Sequence, residues 1–437
     1  MNAEKYWTKT GPGKWERNYD PVEKFLHETS ILSPHMVQLT IAIGAILPKE
    51  ISVEAIKTAW LALRYMHPSI ACTIQDTGLS YQVPTEKDLQ RWLEETVHVN
   101  PSRKPGRELA MSLEPPSSSR VVFLPNQREV FFQLRHELID GVGSTKLLNQ
   151  FIKYLSEDTR LPTPKFGDET SRLSPSLTQI MNAENPPPEV LDQARQIAEK
   201  YFSTPPLGLK IEQPDVASVK PRVSSLYEHL FSENETTSIT QACKRKGHTV
   251  TQAITAAAAL AILEHSGQEC GNFSPFFIAN LRDKVPAPYN ESMTGIYVTP
   301  GLGSIPVTKN SSFFELSEAA REEYEWKHNK NNVASHGPIG QAIEGALTMA
   351  STSGITIPAG VTISSLGLVE SYLTEPVEDF WINLVSATYY HSGFFVYTAK
   401  NRLRLSYCYN DAFFTKDCIK RYVDMLVNHL ERGLDIA

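Results

Sequence analysis

Apolar positions along the chain switch repeatedly between a two-residue period and a period of three to four, so strands and helices are expected to intermingle. Met36 to Ile43 alternates as a half-buried strand does. Ala55, Ile56, Trp60, Leu63 and Met66 form one helical stripe, opened by Ser52 as cap and stopped at His67-Pro68. Leu79 to Val83 predicts a short strand, and Glu86 to Val97 an amphipathic helix through Leu89, Trp92, Leu93 and Val97. Residues 1 to about 30 show neither period and are expected to form an irregular polar lead-in.

The strongest pattern runs from Val130 to Leu155. Val130-Phe131-Phe132-Gln133-Leu134 predicts a central strand, paired with Arg120 to Leu124 through a turn at Pro125-Asn126. It ends at Arg135-His136, and Asp140-Gly141-Val142-Gly143 then breaks the pattern. Leu147, Leu148, Phe151, Ile152 and Leu155 recur at helical spacing behind Ser144, the expected cap. A histidine therefore stands at the mouth of a strand, before a glycine-containing turn that leaves its ring uncrowded.

Pro162, Pro164, Pro175 and the run Pro186-Pro187-Pro188 mark a connection over 161–188, between an N-terminal lobe of residues 1–160 and a C-terminal lobe of 189–437. The second lobe is expected to hold a helix from Pro188 to Phe202 and a strand from Leu226 to Phe231. Capping boxes at Ser232 to Glu235 and Thr249 to Gln252 open two more helices, the second rich in alanine. Phe276 to Arg282 and Gly360 to Gly367 predict strands, Phe394 to Tyr409 a strand pair turning at Asn401, and Thr415 to about Arg432 a closing helix. The fold class is α/β: two lobes, each a mixed sheet with helices, as a length of 437 residues favours over one core.

Composition narrows the function classes. A net charge of -7 without a stripe of Lys and Arg argues against nucleic acid. The five cysteines are scattered and match neither a metal-ligand spacing nor a disulfide framework, which favours a reducing compartment. No apolar run reaches membrane-spanning length and the N-terminus has no signal-peptide core, so a soluble cytoplasmic protein is expected.

His136 is the candidate for chemistry, because imidazole titrates near neutrality and can take a proton from a hydroxyl or amine. A histidine closing an apolar strand also fits a satisfied, half-buried structural residue. A zinc site at His136, Glu137 and Asp140 lacks the second histidine and a third ligand, so no metal is expected. Asp140 either orients His136 or pins the loop through a cation.

His136, Asp140 and Gly141 spell H-x-x-x-D-G. The segment resembles the active-site motif of the CoA-dependent acyltransferase superfamily: chloramphenicol acetyltransferase, plant BAHD enzymes, peptide condensation domains and fungal trichothecene O-acetyltransferases. Further resemblances come in the family's order: the helix and strand around His67-Pro68, the Gly247-His248-Thr249 junction, Asn280-Leu281-Arg282 as the N-x-R element, and Ser364-Ser365-Leu366-Gly367 as the loop facing the histidine. The resemblance implies a chloramphenicol-acetyltransferase-like pair of lobes with a tunnel at their interface. It also implies His136 as general base, Arg282 as partner of Asp140, Gly141 in the turn, and Ser364 or Ser365 as oxyanion donor. Arg282 as a surface residue and the two serines as local backbone caps are the structural alternatives.

The co-substrate implied is acyl-CoA, with acetyl-CoA first and a carrier-bound thioester as the other donor; the acceptor is a hydroxyl or amine of a small specialised metabolite. A monomer with no permanently bound cofactor is expected. The chain has no D-F-G-W-G sequence and carries Arg135 where condensation domains have a histidine, which steers the likeness toward stand-alone fungal O-acyltransferases. A scaffold that cyclises or isomerises a hydrophobic metabolite without an acyl donor is the alternative, with Tyr297, Tyr389, Tyr390 and Phe394 as candidate lining.

Overall fold

Strand Glu129–Arg135 is the middle of five because its side chains find partners on both faces. Thr40–Ile46 and Ser119–Leu124 flank it, both antiparallel, with Asp379–Val385 and Val97–Val99 at the edges. Val130, Phe132 and Leu134 share a core with Trp60 and Leu63 of helix Val53–Met66 and with Leu147 and Phe151 of helix Gly141–Tyr154. Phe131 packs with Ala42, Val122 and Trp381 instead. Trp60 stacks on Trp92 at 5.4 Å and donates Nε1–H to Thr96 Oγ1 at 2.9 Å, so burying the indole leaves no polar group unpaired. The structure, a computed structural model, describes residues 3–31, 39–156, 159–203, 207–209, 224–328, 361–385 and 392–436.

A second sheet has six strands in the order Val298–Leu302, Phe276–Asn280, Val361–Leu368, Ser392–Ala399, Arg402–Asn410, Ser224–Leu230. The second, third and fourth run parallel and the outer pairings are antiparallel. Helices Val250–Ser266, Phe313–His328 and Lys416–Gly433 pack with it in one core, where Ala253, Ala256 and Ala257 are fully buried and let the helices approach closely.

Two features join the lobes. Asp379–Val385 comes from the second half of the chain yet pairs residue for residue with Thr40–Ile46. Arg404 Nη2 meets Asp379 Oδ1 at 3.2 Å, and Leu366, Phe395 and Tyr397 of the six-stranded sheet enter the core built on the five-stranded one.

Sequence and structure part at the N-terminus. Thr8–Gly11 and Lys14–Asn18 form a four-stranded sheet with Gly78–Gln82 and Thr73–Ile74, followed by helix Pro21–Ile31. Arg17 is buried there because Glu23 takes its fork, Nη1 to Oε2 at 2.7 Å and Nη2 to Oε1 at 2.8 Å; hydrophobic periodicity does not register a charge buried by pairing. The strand expected from Met36 spans Thr40–Ile46, while residues 36–38 and Gly360 lie outside the described residues. Ser52 accepts from Ala55 N at 3.1 Å, and both capping boxes are present.

His67 closes helix Val53–Met66, and burial, reinforced by Arg172, pushes its imidazole down to about 4 from an ordinary 6.5. Below pH 6.5 the unfolded chain takes up a proton that the folded one refuses, so stability is whole above that pH and is lost as pH falls toward 4. Replacing His67 with Asn removes this dependence: the difference in unfolding free energy between wild type and variant, measured in urea, is expected to narrow by about 2 kcal/mol from pH 7 to pH 5.

Candidate active site

The helix after the motif begins at Gly141, earlier than the expected cap at Ser144. Asp140 is the cap: its Oδ1 accepts from Gly143 N at 2.8 Å, while the Ser144 hydroxyl donates within the first turn to Gly141 O at 2.9 Å. The glycines do not break the helix; they form its first turn. A Cβ on Gly143 would stand 2.5 Å from Met293 O and 2.9 Å from Arg282 Nη2, so the other lobe approaches the backbone there. At Gly141 a Cβ would meet only ordinary contacts, the nearest Ile382 Cδ1 at 3.7 Å.

From His136 to Asp140, Glu137, Leu138, Ile139 and Asp140 are buried, and His136 alone keeps partial exposure. Its backbone N–H donates to Leu39 O at 3.0 Å, and its Nδ1 lies 3.0 Å from Ile139 O. A carbonyl only accepts, which puts the proton on Nδ1 and the lone pair on Nε2. Burial holds the imidazole below its ordinary value, against the pull of the Asp140 and Glu137 carboxylates and the Ile139 carbonyl. At neutral pH the ring is therefore an uncharged base.

Asp140 is buried and its two oxygens accept four hydrogen bonds. Arg282 Nη1 reaches both at 2.9 Å, Gly143 N reaches Oδ1 at 2.8 Å, and Tyr297 N reaches Oδ2 at 2.8 Å. Asp140 therefore pins the turn through a cation, with Arg282 buried and not on the surface. Strand Phe276–Asn280 ends two residues before Arg282 and delivers it to the junction, where Arg282 Nε also reaches Ser292 O at 3.4 Å. Gly295 N–H donates to Leu138 O at 2.8 Å, a second tie to the turn.

The remaining candidates are more dispersed. Ser365 Oγ pairs with Thr251 Oγ1 at 2.8 Å, while Ser364 stands in register with Ile278, which packs against the cluster of Val22, Leu26, Leu39, Ile296 and Val298. Tyr297 and Phe394 are core residues and not pocket lining: the Tyr297 hydroxyl donates to Pro175 O at 3.1 Å, and Phe394 packs on Tyr407 at 4.3 Å. Tyr389 and Tyr390 lie outside the described residues. A cavity of about 580 Å³ opens elsewhere, lined by Tyr6, Thr10, Arg17, Tyr19, Thr178 and Gln179 among others, and His136 does not line it. Among the described residues no group of three or more His, Cys, Asp or Glu could hold a metal ion.

The Tyr297 amide as a donor to Asp140 and the pairing of Glu137 with Arg135 escaped the reading of the sequence. A backbone donor leaves no mark in a sequence. For Glu137, the available signal was a carboxylate inside an otherwise apolar turn.

Removing one member of the Asp140–Arg282 pair strands a buried charge. Arg282→Ala is expected to lower stability by about 3–5 kcal/mol, and Asp140→Asn/Arg282→Ala to cost less than the two single changes summed, both read from urea denaturation.

No family model matches the chain. It is 24% identical over 455 residues to the O-acetyltransferase pigM of Monascus ruber, covering 98% of this chain and 87% of that protein. Among solved structures, the TRI3 trichothecene 15-O-acetyltransferase of Fusarium sporotrichioides superposes with a TM-score of 0.82 at 18% identity, covering 99% of both chains. The EpoB cyclization-docking bidomain of Sorangium cellulosum superposes at 0.69 with 14% identity, covering 97% of this chain and 86% of that one. The chain is thus similar in sequence to a fungal protein named as an O-acetyltransferase, and it has the two-lobed fold of the trichothecene 15-O-acetyltransferase and the cyclization-docking bidomain.

Proposed function

We propose that the protein moves an acyl group from an acyl thioester, acetyl-CoA in the first instance, to a hydroxyl or amine of a small specialised metabolite, with His136 as general base. The observation that carries this reading is the imidazole itself: partly exposed in a buried turn, uncharged at neutral pH, with Nδ1 held by Ile139 O at 3.0 Å and Nε2 left to act. The name of the Monascus relative supports acetyl transfer to oxygen.

The chemistry places the burden on the acceptor. A thiol ionises near pH 8.5 and leaves a thioester with little help, whereas an aliphatic hydroxyl does not ionise at neutral pH. His136 Nε2 takes the hydroxyl proton as the oxygen bonds to the thioester carbonyl carbon. The resulting oxyanion calls for a nearby donor, and Ser364, half-buried on the same sheet face as Ile278, is the candidate. Collapse then breaks the C–S bond, and the imidazolium returns its proton to the departing thiolate. Asp140, Gly141 and Arg282 keep the turn in place and touch neither substrate.

Incubating the protein with acetyl-CoA and hydroxylated metabolites, and following free thiol, tests the reading. His136→Ala is expected to cut acceptor-dependent thiol release by about 10²–10⁴-fold with an unchanged melting curve. Because burial lowers the ring's pKa, wild-type turnover is expected to persist below pH 6.5 before protonation removes the base. Wild-type turnover in the variant, or isomerisation of the metabolite without thiol release, would overturn transfer by His136.

A further inference from the structure

The residues on either side of His136 turn toward each other while the ring stays partly exposed. Glu137 is fully buried; Arg135 Nε donates to its Oε2 at 3.2 Å, and Arg135 Nη2 donates to its Oε1. The same carboxylate faces helix Pro21–Ile31, with Ser30 Oγ 3.1 Å and His27 Nδ1 3.7 Å from Oε1. Arg135 Nη2 also reaches Ser30 Oγ at 3.1 Å. Both ring nitrogens of buried His27 lack a hydrogen-bond partner among the described residues, and its ring packs on Tyr19 at 5.1 Å. A buried carboxylate is costly unless paired and hydrogen-bonded; Arg135 supplies the charge pairing from the strand end, and Ser30 and His27 complete the surround where the turn meets the N-terminal helix.

We propose that Glu137 is a positioning residue for His136, clamping the peptide units on both sides of the imidazole to helix Pro21–Ile31 through Arg135, Ser30 and His27. This deepens the reading of His136 as general base and rests on it. Asp140 ties the far end of the same turn to Arg282, so the ring stands in a turn held by two carboxylate anchors, Glu137 next to it and Asp140 four residues on. The charged and titratable groups around the clamp are Arg135 on the strand, His27 on the helix, Tyr19 just before the helix and Asp140 at the end of the turn. Burial works against ionisation of Glu137, yet His27 and Arg135 hold its carboxyl below the ordinary range, so it stays charged at neutral pH. That charge opposes the loss of basicity that burial imposes on His136.

The test reads the imidazole directly and needs no acceptor. In NMR spectra of the full chain with labelled histidine, the His136 signal is the one missing from His136→Ala. Glu137→Gln, which keeps the shape and removes the charge, is expected to displace the His136 titration to lower pH and to mix the two ring tautomers. With a metabolite that the wild type acetylates from acetyl-CoA, kcat is expected to fall about tenfold, with the KM for acetyl-CoA within about twofold. A clamp that serves only the fold would lower the melting temperature and leave the titration, tautomer and kcat of the folded protein as in wild type; that result overturns the proposal. Should Glu137→Gln not fold, Arg135→Met/Glu137→Gln leaves no unpaired charge, and a wild-type His136 titration there overturns the proposal equally. Turnover retained by His136→Ala would instead sink the base reading.

Discussion

Four hydrogen bonds converge on the Asp140 carboxylate, and they come from three stretches of chain far apart in sequence: the helix that Asp140 itself caps, Arg282 beyond strand Phe276–Asn280, and the amide of Tyr297. A carboxylate and a guanidinium leave water at a cost of several kcal/mol each, and they recover it only when every geometry is right at once. Such a pair adds little net stability. It does specify one arrangement, because a lobe displaced by an ångström or two leaves a charge buried with nothing opposite. Arg282 Nη1 spans both carboxylate oxygens, and the space a Cβ on Gly143 would need is taken by Met293 O and Arg282 Nη2. The close approach and the charge pairing are therefore one feature.

The turn inherits its shape from that constraint. Leu138 and Ile139 are buried, Gly295 N–H is bonded to Leu138 O, Ile139 is bridged to Gly295, and the Ile139 carbonyl lies 3.0 Å from His136 Nδ1. The tautomer of the ring follows from that carbonyl. On the other side, Glu137 and Arg135 fasten the strand end to the N-terminal helix. His136 is left as the only residue of the turn with access to solvent, a consequence of its neighbours having been pulled inward.

Strand Asp379–Val385 ties the second half of the chain into the five-stranded sheet. It leaves the second half of the chain, pairs along seven residues with Thr40–Ile46, and brings Trp381 against Phe131 and Glu129, with Nε1–H on Glu129 Oε1 at 2.7 Å. Its sequence, DFWINLV, has alternating bulk but no distinctive turn signals, and nothing local reveals that its partner lies more than three hundred residues earlier.

Local physics was legible wherever a pattern repeats within a few residues. The stripe of Val53–Met66, the apolar run of Glu129–Arg135, the capping boxes at Ser232 and Thr249, and the histidine placed just past a strand all follow from periodicity and side-chain chemistry that neighbours in the chain supply. Tertiary structure decided the rest: that Asp140 caps the helix in place of Ser144, that polar residues before position 31 form strands and a helix around the Arg17–Glu23 pair, and that Tyr297 is core and supplies an amide to Asp140. Those outcomes depend on charges and backbone groups that become favourable to bury only when a partner arrives from a distant part of the chain, and no window of sequence contains both members of such a pair.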